Sequence, residues 1–376
     1  MVQRGGVIQA RARSRIRRSL LAGALCGLFP LAIAPAAQAA VPNGFFGLGG
    51  EPIPTTKPSW NRIAKSGART WKTHLRWAFV ERQAPISGVH HYGWGAFDQV
   101  VLQAAQVGIR AVPTVHTTPE WANGGCTTCP PLSDAEGHAT SEWQSFLTAA
   151  VRRYGPGGGF WTQHPELSGD RYKPIVAWQV WQEPNFDFWW NGDASARQYG
   201  RFLIDSSVAI KSADPNAYVV FGGLPEVIDG TPMIRFLRNV YRRTPGVKNH
   251  FDYAALHPFA SDRWRVRYAI KRARRVMRRH GDGDKWIYIT EFGWATGGPN
   301  VPFRTTLTGQ RRKLKRTYRM LVRHRWEWRI ARAMWLRYEN AGPSGSWGTY
   351  TGLFSADGDP KPSWWGYVET TRKYLR

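Results

Sequence analysis

Two glutamates carry the chemistry that this chain can be expected to perform. Glu183 closes a short apolar run, Ile175-Val176-Ala177-Trp178-Gln179-Val180-Trp181-Gln182, and Pro184 follows at once. Glu291 closes a second run, Trp286-Ile287-Tyr288-Ile289-Thr290. Runs of this length, rich in β-branched and aromatic residues, read as buried strands. Proline cannot donate to a sheet ladder, so the first strand must stop at Glu183. A carboxylate on the lip of a buried strand is costly unless it is paired or used. Trp181 and Trp294 stand near the two carboxylates in sequence. Two carboxylates that face each other in an aromatic cleft suit glycoside hydrolysis, where one protonates the leaving oxygen and the other acts in ionised form. A separation of about 5 Å gives retention and about 6.5–9.5 Å gives inversion. The chain leaves that choice open.

The elements that must position these residues repeat along the chain. Strands are expected near 45–50, 69–77, 109–115, 175–181, 217–221, 251–256, 286–290 and 331–336. Helices are expected between them. Thr56 with Pro58 starts the first, Asp193 caps the fourth, and glycines such as Gly67, Gly108 and Gly281 stop others. Eight strand-then-helix units predict an α/β fold, a single-domain (β/α)8 TIM barrel with a parallel sheet. An open doubly wound sheet is the competing reading, but no GxGxxG follows the first strand. Glu183 and Glu291 are 108 residues apart, three units of about 36 residues in such a barrel. They are thus expected at the ends of strands four and seven. Arg76, His116, Gln182, His257, Trp335 and Tyr338 also fall at expected strand ends. Six tryptophans, Trp121, Trp189, Trp190, Trp264, Trp294 and Trp347, are candidate sugar platforms, since large rings stack on CH-rich sugar faces.

Residues 1–39 read as an export signal. Arg4, Arg11, Arg13, Arg15, Arg17 and Arg18 precede an apolar run, and Ala37-Gln38-Ala39 is a small-x-small cleavage pattern before Ala40. Arg17-Arg18-Ser19-Leu20-Leu21 resembles a twin-arginine signal. The apolar run is short and holds Pro30, so no stable membrane insertion is expected after signal removal, and the product is expected to be secreted or held at the cell envelope. Residues 40–376 then form the catalytic domain. Cys126 and Cys129, the two cysteines beyond the signal, are expected to pair in a loop disulfide. The chain carries 52 basic and 26 acidic residues, a net charge of +26. Removal of the signal leaves about +20, which favours anionic surroundings and an acidic glycan as substrate. The basic runs at 271–280 and 311–320 lie on expected outer helices, so nucleic-acid binding is not expected. No cofactor is expected, and histidines cluster at too few strand ends for a metal hydrolase.

The motifs resemble those of the clan A glycoside hydrolases, in particular the family 39 and family 5 branches. QVWQEPN resembles the acid/base motif, WIYITEFGWAT the nucleophile strand, and GLFSADGDPKPSWWGY the closing segment. The resemblance implies a retaining glycosidase acting on a β-linked poly- or oligosaccharide by double displacement. It implies Glu183 as acid/base and Glu291 as nucleophile. It also implies Arg76 as the cation on the nucleophile, His257 beside it, Trp335 under the sugar to be cleaved, and His116 as a subsite contact; Trp294, one of the candidate platforms, is a further expected substrate contact. Gln182 stands where the family has asparagine, whose amide contacts the sugar 2-hydroxyl; here that amide sits one methylene further out. A glycan-binding barrel without turnover is the alternative that Gln182 leaves open.

Overall fold

Alternation of apolar side chains along eight short runs builds a closed parallel barrel. The computed structural model describes residues 40–375 except 191, 227–228 and 343–344. The expected export signal at 1–39 lies outside the described residues. The strands are β1 (Phe46–Gly49), β2 (Thr70–Arg76), β3 (Arg110–His116), β4 (Ala177–Val180), β5 (Tyr218–Pro225), β6 (Tyr253–His257), β7 (Trp286–Phe292) and β8 (Ile330–Trp335). They pair in chain order, and β8 closes onto β1. A helix of nine or more residues follows each strand: α1 (Lys57–Lys65), α2 (Gly95–Gln106), α3 (Ser141–Tyr154), α4 (Ala196–Ala213), α5 (Met233–Arg243), α6 (Arg263–Arg279), α7 (Leu307–Arg323) and α8 (Pro362–Tyr374). The expected (β/α)8 TIM barrel is therefore the observed fold.

Two packed layers hold it. Val112, Ala177, Val220, Ala255, Tyr288 and Met334, one from each of six strands, fill the barrel interior. A larger core lies between strands and helices and includes Trp60, Trp71, Trp143, Trp178, Trp328 and Tyr318, all fully buried. Each such side chain contributes about 2–3 kcal/mol by burial. Local signals set the helix starts. Thr56 accepts from the Ser59 amide, and Asp262 accepts from the Trp264 and Arg265 amides. The fourth helix differs from expectation. Ser195, not Asp193, is its cap, accepting from the Gln198 amide.

β5 also departs from the sequence reading. It runs on through Gly222-Gly223 to Pro225, with a register shift against β6 between Phe221 and Leu224. The two glycines are there for space. A Cβ on Gly222 would meet Pro184 Cδ at 2.8 Å, and one on Gly223 would meet His257 Nε2 at 2.0 Å. They let the β4 turn and the His257 ring approach β5 directly.

Candidate active site

The strands run out into a cavity of about 630 Å3, and its lining includes Lys72, His74, Arg76, His116, Gln182, Glu183, Glu291 and Arg337. Side chains along a strand alternate in direction, so Lys72, His74 and Arg76 share one face of β2. Their neighbours on β3 are in register, His74 opposite Thr114 and Arg76 opposite His116. His74 Nδ1 lies 3.0 Å from His116 Nε2, and Lys72 Nζ lies 3.0 Å from His74 Nε2. Burial and then the neighbouring cations hold both imidazoles well below the usual histidine range. Both are therefore neutral near pH 7.

Glu183 is delivered by a strained turn. After Val180 the backbone turns left-handed at Trp181 (φ 70°) and again at Glu183 (φ 40°), and Thr117 at the end of β3 does the same (φ 62°). Non-glycine residues in this region cost about 1–3 kcal/mol each. The turn is held by bonds on every side. The Trp181 amide donates to Val115 and its indole to the Trp189 carbonyl at 2.8 Å. Asn185 donates to the carbonyls of Pro225 and Thr231, both at 2.9 Å. Tyr199 of α4 bonds both the Val180 carbonyl and the Gly222 amide. The strain aims the Glu183 carboxylate inward.

Glu291 is the more deeply held carboxylate. The Lys72 ammonium donates to its Oε1, and Gln182 Nε2 lies 3.5 Å from the same oxygen. The Lys72–Glu291 pair is buried, with side chains 3% and 7% exposed, against 13% for Glu183. His257 sits between the two carboxylates, its Nδ1 2.7 Å from Glu183 Oε1 and 3.7 Å from Glu291 Oε2. Its Nε2 is fixed by Thr290 Oγ1 at 3.0 Å. Burial works to raise the Glu291 pKa. The charges of His257 and Lys72, with the bonds from Lys72 and Gln182, overcome it and bring the group down to about 2. One ligand atom from each of Glu183, His257 and Glu291 lies within 4.8 Å of the others. The two carboxylates are thus less than 5 Å apart at their nearest such oxygens. The same trio has the atom types of a metal site, but the Lys72 ammonium already takes one oxygen of Glu291.

The expected site residues fall into two groups. Glu183, Glu291, Gln182, His116, His257 and Arg76 come together at the cavity or against its carboxylates. Arg76, however, pairs with Glu51 and not with Glu291. Lys72, two pleats deeper on the same face, takes the role expected of it. Trp335 and Trp294 are corrected as well. Both are buried among core rings, with indole nitrogens donating to the Thr351 and Ala260 carbonyls at 2.8 Å. Met334 points into the barrel, so its neighbour Trp335 must face the helices. Of the other candidate platforms, Trp189 and Trp347 line the cavity. Trp190 is buried, Trp121 packs on Trp77, and Trp264 is exposed on α6. Sequence reasoning missed Lys72, His74, Glu51, Phe259 and Arg337. The alternation of charge at 72, 74 and 76 was the available signal for the first two. Cys126 and Cys129 are bonded to each other, as expected, and neither lines the cavity.

No protein-family profile and no curated protein matches the sequence. Solved structures do match. A family 39 glycoside hydrolase from Bacteroides cellulosilyticus WH2 superposes with a TM-score of 0.62 at 18% identity, over 89% of this chain and 64% of that one. A monomeric β-xylosidase from Caulobacter crescentus CB15 gives 0.64 at 17% identity, over 88% and 68%. A β-D-glucuronidase from Dictyoglomus thermophilum gives 0.51 at 13% identity, over 89% and 51%. The chain spans about two thirds of the length of the first two and half of the third. What it shares with these glycoside hydrolases is the barrel fold.

Proposed function

We propose that the chain is a retaining glycosidase that cleaves β-linked O-glycosides by double displacement. The observation that carries this reading is the pair of carboxylates whose nearest oxygens lie within 4.8 Å at the barrel mouth, one of them held ionised. Such closeness suits a covalent glycosyl intermediate better than the wider separation that inversion through a water needs. In this reading Glu291 attacks the anomeric carbon while Glu183 gives its proton to the leaving oxygen. Glu183 then takes a proton from the water that releases the sugar. Lys72 keeps Glu291 ionised in a buried setting, and His257 fixes the distance between the two groups. The Gln182 amide beside Glu291 is placed for the sugar 2-hydroxyl. Trp189, Trp347 and Phe259 supply apolar walls for sugar faces. Structural neighbours described as a β-xylosidase and a β-glucuronidase support the β-linkage. The Arg-rich start with its small-x-small pattern supports export, with action outside the cell or at its envelope.

The test is hydrolysis of a panel of aryl β-glycosides by the wild type, Glu183→Gln and Glu291→Gln. Both variants are expected to lose at least about 10³-fold in kcat/KM. Azide is expected to rescue Glu183→Ala on a substrate with a good leaving group, giving a β-glycosyl azide. Wild-type rates in both variants would refute the roles. Tight glycan binding without turnover by the wild type would favour a binding barrel instead.

A further inference from the structure

The positive charge of this chain is concentrated on one flank of the barrel. α5, α6 and α7 carry 20 arginines and lysines and no acidic residue. Six more basic residues lie within 1–39, so the remainder of the chain holds 26 basic and 26 acidic residues and is neutral. The three helices are consecutive on the outer ring, α5 packed on α6 and α6 on α7. Thirteen of the 20 side chains are exposed and Arg274 alone is buried, so the charge stands at the surface. Among the described residues, only Arg311 and Lys315 of this set form ion pairs, both with Glu369 of α8. The arrangement works against the helices themselves. Arg263, Arg267, Lys271, Arg275 and Arg279 follow one another at i,i+4 along α6, and like charges so spaced repel. None of the three helices has an acid in its first turn to favour the dipole.

We infer that this flank docks a polyanionic polysaccharide, a flexible chain that lies across α5, α6 and α7 and leads to the cavity mouth. The inference rests on the glycosidase reading only where that polymer is also the substrate. The catalytic cavity does not share the charge. Its lining holds five carboxylates, Glu51, Glu183, Glu226, Asp229 and Glu291, against Lys72, Arg76 and Arg337, so the anion is met outside it. The flank nevertheless begins at its edge. A second cavity of about 530 Å3 shares Glu226, Phe259, Pro302 and Phe303 with the first, and α6 supplies Arg265 and Tyr268 to its wall. The Tyr268 ring is 62% exposed, a platform for a sugar between cavity and flank. Shape selects the partner among polyanions. Three neighbouring helices on a closed ring form a convex face. A flat bilayer would touch them one at a time, and duplex DNA, stiff over about 150 base pairs, would not follow the curve without a bending cost. A flexible chain can meet all three helices and cancel their mutual repulsion.

Binding tests this without turnover. Fluorescein-labelled polygalacturonate, dextran and duplex DNA are titrated with the full chain by anisotropy, and phosphatidylglycerol vesicles by sedimentation. Polygalacturonate is expected to bind, with an affinity that falls steeply as salt rises from about 0.05 to 0.2 M, and dextran is not. A flank variant combines Arg238→Gln, Lys271→Gln, Arg275→Gln and Arg316→Gln. It is expected to bind polygalacturonate about 10-fold more weakly or worse, with a shallower salt dependence. A control variant, Lys57→Gln, Lys65→Gln, Arg152→Gln and Arg171→Gln, changes the net charge equally and is expected to lose less than about 3-fold. The thermal midpoint of the flank variant should hold or rise, because like charges are removed. Equal loss in the two variants would reduce the effect to net charge and overturn the inference. A fall in the flank variant's midpoint would trace its loss to the fold and do the same. So would equal binding of dextran, or tighter binding of the DNA or the vesicles. Aryl β-glycoside hydrolysis involves no polymer, so its absence with polygalacturonate binding intact would count against the glycosidase reading alone.

Discussion

Replacing Lys72 by methionine isolates what the buried cation does. The side chain keeps its length and loses its charge, so Glu291 keeps its burial but not its nearest countercharge. The fall of Glu291 from the ordinary value of 4.5 to about 2 corresponds to about 3 kcal/mol in favour of the ionised form. Lys72 supplies a charge and a hydrogen bond toward that total, alongside the charge of His257 and the weaker bond from Gln182. Its removal is expected to destabilise the fold by about 3 kcal/mol at pH 7, at the low end for a broken buried pair.

The pH dependence gives the sharper check. A carboxylate depressed in the folded state adds stability above 4.5, and this is lost as pH falls from 4.5 toward 2. Without Lys72, burial is expected to win and lift Glu291 above 4.5. The group then favours the folded state most at low pH, and that contribution fades as pH rises through its new value. The gap between wild type and Lys72→Met should therefore be widest near pH 7 and narrow toward pH 3. Urea denaturation at both pH values measures it. A gap of equal size at both would refute the reasoning, as would no gap at pH 7. In activity, the acidic limb of kcat/KM should move to higher pH, and Lys72→Arg should restore part of the loss.

Gly223→Ala is expected to abolish most activity and cost about 1–3 kcal/mol, because the new methyl collides with the His257 ring; a crystal structure with His257 unmoved would contradict this. Dialysis against EDTA is expected to leave hydrolysis unchanged, since Lys72 and not a metal ion neutralises Glu291; loss of activity restored by a divalent ion would reverse that assignment.

The barrel was legible because its signal is periodic and local. Each strand is a short apolar run, and most helices have a side-chain cap or a glycine stop that can be read in place, α5 and α8 being the exceptions. Glu183 and Glu291 were legible for the same reason: both end such runs. The residues that tune them were harder, because tuning depends on depth and facing. Arg76 and Lys72 share a face of β2, and only the register with β3 and the ion pair across to Glu291 of β7 show which one reaches it. Trp335 was expected under the sugar from the resemblance, at the end of its strand, yet the alternation set by Met334 turns it to the helix layer. Gly222 and Gly223 read as a strand end. Their use appears only when Pro184 and His257, distant in sequence, are brought against them.

The proposed allocation of roles rests on an asymmetry between two like groups. Both carboxylates touch His257, so that residue cannot distinguish them by contact alone, although it lies 1.0 Å closer to Glu183. The difference comes from β2 and the β4 turn. Lys72 and Gln182 both direct donors at Glu291 Oε1. Glu183 is the less buried of the two and sits on a turn whose backbone is held left-handed. A group fixed by two donors, with its pKa brought down to about 2, is suited to stay ionised and attack. A group with one imidazole partner and a route to the cavity is suited to pass a proton in both directions. Exchanging the donors, not the carboxylates, is therefore the change that should confuse the roles. Lys72→Met is expected to leave two protonatable glutamates less than 5 Å apart, and the pair should then titrate as one coupled unit.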